Sequence, residues 1–345
     1  MVICDIGAYE VEKAYTLMIT SAHGTVTKNP DEAAYHEGDV VQLTATPTVG
    51  WVFASWTGDL ISSSNPDSLT IHGNTSVTAN YTQNEYNLTI TSANGTVAKN
   101  PDKPTYHEGD VVQLTATPSA GWVFVNWTGA LTGAANPGSI TIHGNATITA
   151  NYKKLANLTR YSIAANDGWA LEKGETLNKG GSVDAASTTF RLGDDNLKKQ
   201  YRSILSFNTS GLPDNAIITS VTLKIRQESI TGSATFNRFQ GLLVDIRKGT
   251  FGTSALQVTD FQATASTPAA GIGPFILSPV GDWYTINLTA GKAYINKLAT
   301  LLGLTQFRLR FKLDDNNNAV ANYISFFSGN NSTNKPTLII QYYVP

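Results

Sequence analysis

Apolar and polar side chains alternate along most of this chain. Val41, Leu43 and Ala45 fall on one side of a strand, and Gln42, Thr44 and Thr46 on the other. Val77, Ala79 and Tyr81 alternate in the same way with Thr78 and Asn80. Such period-2 patterning marks half-buried β-strands. Turn signals separate them: Asn29-Pro30-Asp31, Glu37-Gly38-Asp39, Asn65-Pro66 and His72-Gly73-Asn74. The stretch from Tyr15 to Tyr81 then recurs at Tyr86 to Tyr152 without insertion, with about two-thirds of positions identical. Each copy is expected to be a small antiparallel unit of about six short strands. Its expected core is Leu17, Ile19, Val41, Leu43, Trp51, Phe53, Trp56, Leu69, Ile71 and Val77.

A different pattern begins near Asn157. Strands are expected at Tyr201 to Phe207, Ile217 to Arg226, Leu242 to Arg247, Trp283 to Leu288, Gln306 to Leu313, Tyr323 to Ser328 and Thr337 to Tyr343. Ala290 to Leu298 is a candidate short helix. Several strands with long loops between them argue for a β-sandwich. The fold class is therefore all-β: two tandem small antiparallel β repeats and a C-terminal jelly-roll-like β-sandwich. The expected boundaries are a leader over 1–13, repeats over 14–83 and 84–154, and the sandwich over 157–345. The junctions are only a few residues long, too short for flexible tethers.

Composition narrows the function classes. Only 14% of residues are charged, and Thr, Asn, Ser and Gly supply the polarity. That suits a β-rich secreted protein. A net charge of -2 offers no global field for nucleic acid or an anionic membrane. No run of about 18 apolar residues exists to span a bilayer. The one cysteine, Cys4, allows no internal disulfide. Met1-Val2-Ile3-Cys4-Asp5 does not read as a signal peptide, so a larger parent chain is expected upstream. Tandem duplication favours reach or valency over chemistry.

No histidine lies beyond His143, so Ser-His-Asp and Cys-His catalysis are excluded in the C-terminal segment. His36, His72 and their counterparts His107 and His143 sit beside turns and read as solvated. Asp194-Asp195 and Asp314-Asp315 lie in Asn-rich loops. They are solvated loop residues, ligands of a structural Ca²⁺, which takes six to eight oxygens, or, as a third reading, paired hydrolytic carboxylates. Trp51, Trp56, Trp122 and Trp127 recur in both copies and read as core. Trp169 and Trp283 follow turns and are candidates for stacking on sugar rings. Alternation puts Arg308, Arg310 and Lys312 on the outer side of one strand, and Lys224 and Arg226 on that of another, with Arg202 on a third. If those strands are neighbours, one sheet face carries a basic stripe suited to carboxylates. Cross-strand pairing with Asp245 and Glu228, or plain solvation, is the alternative.

Gly24-Thr25-Val26, Asn29-Pro30, Tyr35, Gly38-Asp39, Leu43-Thr44-Ala45-Thr46-Pro47, Gly50-Trp51-Val52-Phe53, Trp56-Thr57-Gly58-Asp59 and Val77-Thr78-Ala79-Asn80-Tyr81 resemble a divergent internalin B-repeat of bacterial surface proteins. The second copy departs at Ala130, which replaces Asp59. The resemblance implies a structural repeat without chemistry of its own. Gln200 to Phe207, Leu212-Pro213, Ile217 to Leu223 and Asn334 to Tyr342 resemble the DNRLRE-type domain, classed with alginate-binding carbohydrate-binding modules. Cys4 to Glu10 is similar to the last coil of a bacterial right-handed β-helix. Together these imply a secreted or cell-surface bacterial protein that is not an enzyme in this portion. The repeats would be a spacer and the sandwich would bind a polysaccharide or cell-surface glycan. The alternatives are a purely structural adhesin stalk with protein partners, or the accessory tail of a secreted polysaccharide-degrading enzyme.

Overall fold

The computed structural model describes residues 12–298 and 301–345. The expected β-helix coil, with Cys4, lies outside the described residues. The chain divides into two units, Met1–Tyr152 and Lys153–Pro345.

The first unit holds both repeats. Copy one has six strands: Leu17–Ser21, Gly24–Asn29, Val40–Pro47, Trp51–Gly58, Asp67–Thr70 and Thr75–Gln83. They form two three-stranded sheets. Most pairs are antiparallel, but the first strand runs parallel to the last, Ile19 opposite Val77. Val41, Leu43, Trp56, Ile71 and Val77 are fully buried between the sheets. Tyr35, absent from the expected core, is buried as well. Its hydroxyl donates to Pro30 O (2.9 Å) and accepts from Glu32 N (3.2 Å). The Asn65 side chain behaves as an extra piece of strand. Its amide donates to Ala45 O (2.7 Å) and its carbonyl accepts from Ala45 N (2.8 Å). Copy two repeats each device with Tyr106 and Asn136.

Trp51 departs from expectation. It is half-buried and stacks on His23, ring centroids 3.5 Å apart. Trp51 and Trp56 have opposite parity on one strand, so a regular strand would send them to opposite faces. The bulge between Phe53 and Ser55 shifts the register and turns Trp56 inward. Gly58 tolerates no side chain: it has φ +98, and a Cβ would run into Ser76 O.

The second unit is one large sheet curled into two layers. Its order is Ala156–Tyr161, Thr337–Tyr343, Ile217–Thr231, Asn322–Phe327, Thr189–Asp194, Gln200–Asn208, Leu304–Phe311, Leu242–Lys248 and Ile272–Phe275. Trp283–Asn287 pairs with Ile217–Thr231, and Gly168–Glu172 joins Gln200–Asn208 to Gly180–Asp184. The 15-residue strand Ile217–Thr231 serves both layers. It pairs with Thr337–Tyr343 up to Lys224, then with Asn322–Phe327 from Gln227, and its register shifts between Gln227 and Ser229. Phe190, Phe207, Leu223, Phe239, Val244, Phe307, Phe311, Phe326 and Ile340 fill the core. All seven expected strands are present. The candidate helix is a 3₁₀ turn, Thr289–Tyr294.

Candidate functional site

Four strands present an open face on one layer: Ala156–Tyr161, Thr337–Tyr343, Ile217–Thr231 and Trp283–Asn287. Alternation sends Leu158, Leu338, Ile340, Val221, Leu223, Ile225 and Ile286 into the core. Between them, outward residues align in rows. Tyr161, Thr337, Lys224 and Thr285 form one row, and Thr159, Ile339, Thr222 and Asn287 the next. Trp283 lies opposite Arg226 at the end of the face. Tyr161 is 64% exposed. The Lys224 ammonium stands 5.9 Å from the Trp283 ring centroid. A shallow depression of about 270 Å³ runs between Tyr161, Lys224, Trp283, Thr333, Lys335 and Thr337. Arg226 is held at the edge by Asn334 (2.9 Å) and Asp282 (3.5 Å). Glu228 bonds Ser229 rather than a basic residue.

The other arginines lie elsewhere. Strand Leu304–Phe311 sits between Gln200–Asn208 and Leu242–Lys248, and Ile217–Thr231 is not its neighbour. The expected single basic stripe is therefore two separate sites. Arg202, Arg308 and Arg310 meet in a cleft of about 390 Å³ with Asp245. Arg308 faces away from the core as expected, yet it is 7% exposed, because residues 249–271 cover it. It donates to Asp245 (2.9 Å), to Asp260 O (2.9 Å) and to Ala263 O (2.7 Å). Arg310 donates to both Asp245 oxygens, at 3.1 and 3.3 Å, and to Ala269 O (3.1 Å). Arg202 lies over the Phe261 ring and donates to Gln200 (2.6 Å), Phe261 O (2.9 Å) and Asn178 (2.8 Å). Burial, then the guanidiniums of Arg308 and Arg310, push its pKa down to about 10.

Trp169 is no free platform. It is half-buried against the core, edge-on to Tyr201 at 5.1 Å. The Arg191 guanidinium lies 4.7 Å from the Tyr323 ring centroid and 5.5 Å from that of Trp169. The acidic pairs hold backbone at a strand end and in loops. Asp194 is buried, and its oxygens accept from Asn316 N (3.0 Å) and Asn322 N (3.1 Å). Burial raises its pKa. Asp195 accepts from Leu197 N (2.8 Å) and Lys199 N (2.9 Å). Asp314 accepts from Asp315 N (3.1 Å), and Asp315 from Asn317 N (2.5 Å). Among the described residues no group of three or more His, Cys, Asp or Glu side chains is placed to hold a metal ion. None of their helices is long and apolar enough to cross a membrane.

Asn178, Gln262 and Tyr161 are site residues that alternation did not reveal. The first two lie in loops, and Tyr161 lies on a strand that was not expected.

Residues 15–85 and 86–156 each match the family model described as a divergent InlB B-repeat domain. No curated protein matches the chain. Among solved structures, the chain is similar to wild-type BuGH86 in complex with neoagarooctaose, at 9% identity over 71% of this chain and 34% of that one, with a TM-score of 0.19. A variant of BuGH86 with the same ligand matches at 9% identity over 72% and 34%, also at 0.19. The chain thus spans about a third of the length of these structures. A TM-score that low carries no functional argument.

Proposed function

We propose that the C-terminal unit is a carbohydrate-binding module of the DNRLRE type, and that the two repeats are a spacer in a secreted or cell-surface bacterial protein. In this reading the described chain carries no catalysis, and its partner is a polysaccharide. The observation that carries the reading is the open sheet face with Tyr161 and Trp283 near its two edges and Thr159, Thr222, Thr285 and Thr337 between them. Four neighbouring strands span roughly 14 Å at about 4.8 Å per step, room for several sugar rings rather than one. Aromatic faces take the apolar C–H side of a sugar ring, and hydroxyls and ammonium groups take its polar edge. Each row is built on buried strands, so the surface is preformed and binding orders little backbone.

The test is affinity electrophoresis of the whole chain through gels containing single polysaccharides. At least one polymer is expected to retard it, and Trp283→Ala and Tyr161→Ala should each weaken retardation about tenfold, equivalent to roughly 1.4 kcal/mol. Wild-type migration unchanged in every plant, algal and bacterial polymer would sink the reading. So would full retention of binding in both variants.

A further inference from the structure

A further cavity of the C-terminal unit lies at the start of strand Ile217–Thr231, away from the Arg226 end where Trp283 pairs. It is a depression of about 450 Å³, floored by Ala216, Ile218 and Ile295 and ringed by Lys248, Lys292 and Lys297. Lys297 donates to Ala216 O (2.9 Å), and Lys248 and Lys292 are exposed. The lysines held in ion pairs are others: Lys28, Lys99, Lys103 and Lys198. Among the described residues no carboxylate lines the depression. Asp214, two residues before Ala216, is exposed.

Apolar side chains gather at the same end. Ile217 and Leu298 are exposed there, and Leu301 and Leu302 are 54% and 68% exposed. A Cβ on Gly249 would come within 3.1 Å of the Leu301 Cβ, which puts this turn beside Lys248. The turn is held in place: Thr209 N donates to Gly303 O (2.8 Å), and Gly249 N to Leu304 O (3.0 Å). Leu301, Leu302 and Gly303 have φ of +57, +60 and +62. Glycine and asparagine take that left-handed region readily, whereas leucine is strained in it. Two leucines thus stand in an unfavourable conformation that burial does not offset. Strain kept at an exposed position points to a role outside the fold.

We propose that this end of the C-terminal unit docks on an anionic lipid bilayer, with Leu301 and Leu302 entering the acyl boundary and Lys248, Lys292 and Lys297 meeting phosphate head groups. The depression suits a head group rather than an acyl chain, because Ala216, Ile218 and Ile295 beneath it are already buried. The leucines project beside it and do not line it. Apolar side chains at the acyl boundary with lysines at head-group level are the chemistry of peripheral membrane contact. A soluble anion would leave the leucines in water, and an apolar protein surface would desolvate the lysines without pairing them. The net charge of -2 supplies no long-range attraction, so the pull is local and acts within a Debye length of about 8 Å.

The test uses the full chain and co-sedimentation with vesicles of phosphatidylcholine alone and of phosphatidylcholine with phosphatidylglycerol in equal parts. The mixed vesicles should bind it about tenfold or more tighter than the neutral ones, and high salt should release it. Leu301→Asn/Leu302→Asn should weaken this binding about tenfold while the C-terminal melting transition stays level or rises, because asparagine accepts the left-handed backbone. Lys248→Glu/Lys292→Glu should weaken it about tenfold or more. Lys173→Glu/Lys179→Glu makes the same change of net charge at exposed positions outside the depression and should leave binding near wild type. Trp283→Ala should leave it unchanged, which separates this surface from the sheet face. The proposal is overturned if neither vesicle binds, if both bind alike, if the leucine variant keeps wild-type affinity, or if the control lysine pair costs as much as Lys248 and Lys292. A leucine variant that melts lower would assign the leucines to the fold and overturn it as well. Self-association of the wild type without lipid, lost in the leucine variant, would give the face to a second copy of the chain instead.

Discussion

The repeats and the C-terminal unit use polar chemistry in opposite ways. In the repeats the charges are at the surface: Lys28 pairs with Asp31 and Lys99 with Asp102, and both acids are more than 70% exposed. The polar anchors are uncharged: the buried Tyr35 and Tyr106 donate their hydroxyls to main-chain carbonyls, and the Asn65 and Asn136 amides pair with strand backbone from the surface. The C-terminal unit instead buries Asp167, Asp194, Asp245, Asp260 and Arg308. Burying a charge costs several kcal/mol unless it is paired. Among the described residues buried charge is thus confined to the C-terminal unit, which accords with the proposed spacer role of the repeats.

Four outcomes would sharpen or break that contrast. Trp56→Ala, at a site with no exposure, should cost about 3–5 kcal/mol and act on the first repeat alone. Denaturant unfolding followed by fluorescence should show one early transition, while glycan retention stays unchanged. Loss of glycan retention in this variant would show that the repeats do more than space. Asp245→Ala should cost a comparable amount, about 3–5 kcal/mol, because it strands Arg308 in a buried site. A midpoint shift smaller than that of a surface substitution would refute the view of Asp245 as the structural counter-ion. Asn65→Ala should cost about 1–3 kcal/mol by leaving the Ala45 amide and carbonyl unpaired. Asn136→Ala should match it within the second repeat.

The most diagnostic effect is with pH. Burial holds Asp167 at about 7 and raises Glu172, Asp194 and Asp260 above their ordinary values. A carboxyl raised in the folded state binds its proton more tightly there, so its contribution is complete below the unfolded value near 4 and is lost as pH rises through the folded one. Asp67 and Asp110 in the repeats are shifted down by hydrogen bonds, the first mainly to Ser62 and the second mainly to the His107 amide. Their contribution is present at neutral pH and is lost only in stronger acid. Scanning calorimetry at pH 5 and pH 8 should therefore show the C-terminal transition higher at pH 5 and the repeat transition nearly unmoved. A C-terminal transition that rises with pH would contradict this account of the buried carboxyls.

The fold was legible where structure is local. Duplication marked the repeats, and alternation located every long strand of the C-terminal unit. It missed Ala156–Tyr161, Gly168–Glu172, Gly180–Asp184, Thr189–Asp194 and Ile272–Phe275, which are short or rich in Gly and polar residues. A bulge, invisible to strict alternation, brings Trp51 and Trp56 to one face, yet Trp51, at the first position of its strand, stacks on His23 instead of entering the core. Arg308 was assigned its correct side of the sheet but not its cover, since parity knows nothing of the loop that crosses above it.

Alternation and duplication by themselves determined an all-β chain, two like repeats and the outward side of Lys224, Arg226, Arg308 and Arg310. Only the tertiary structure decided that these residues form two sites rather than one. The side a residue faces depends on its immediate neighbours, with a period of two. Which strands lie beside each other depends on connections between distant segments: Asp245 meets Arg308 across 63 residues, and Lys224 meets Thr337 because the last strand returns to the first layer. Hydrogen-bond pairing across such loops is set by how the whole core closes, and no short window of residues encodes it.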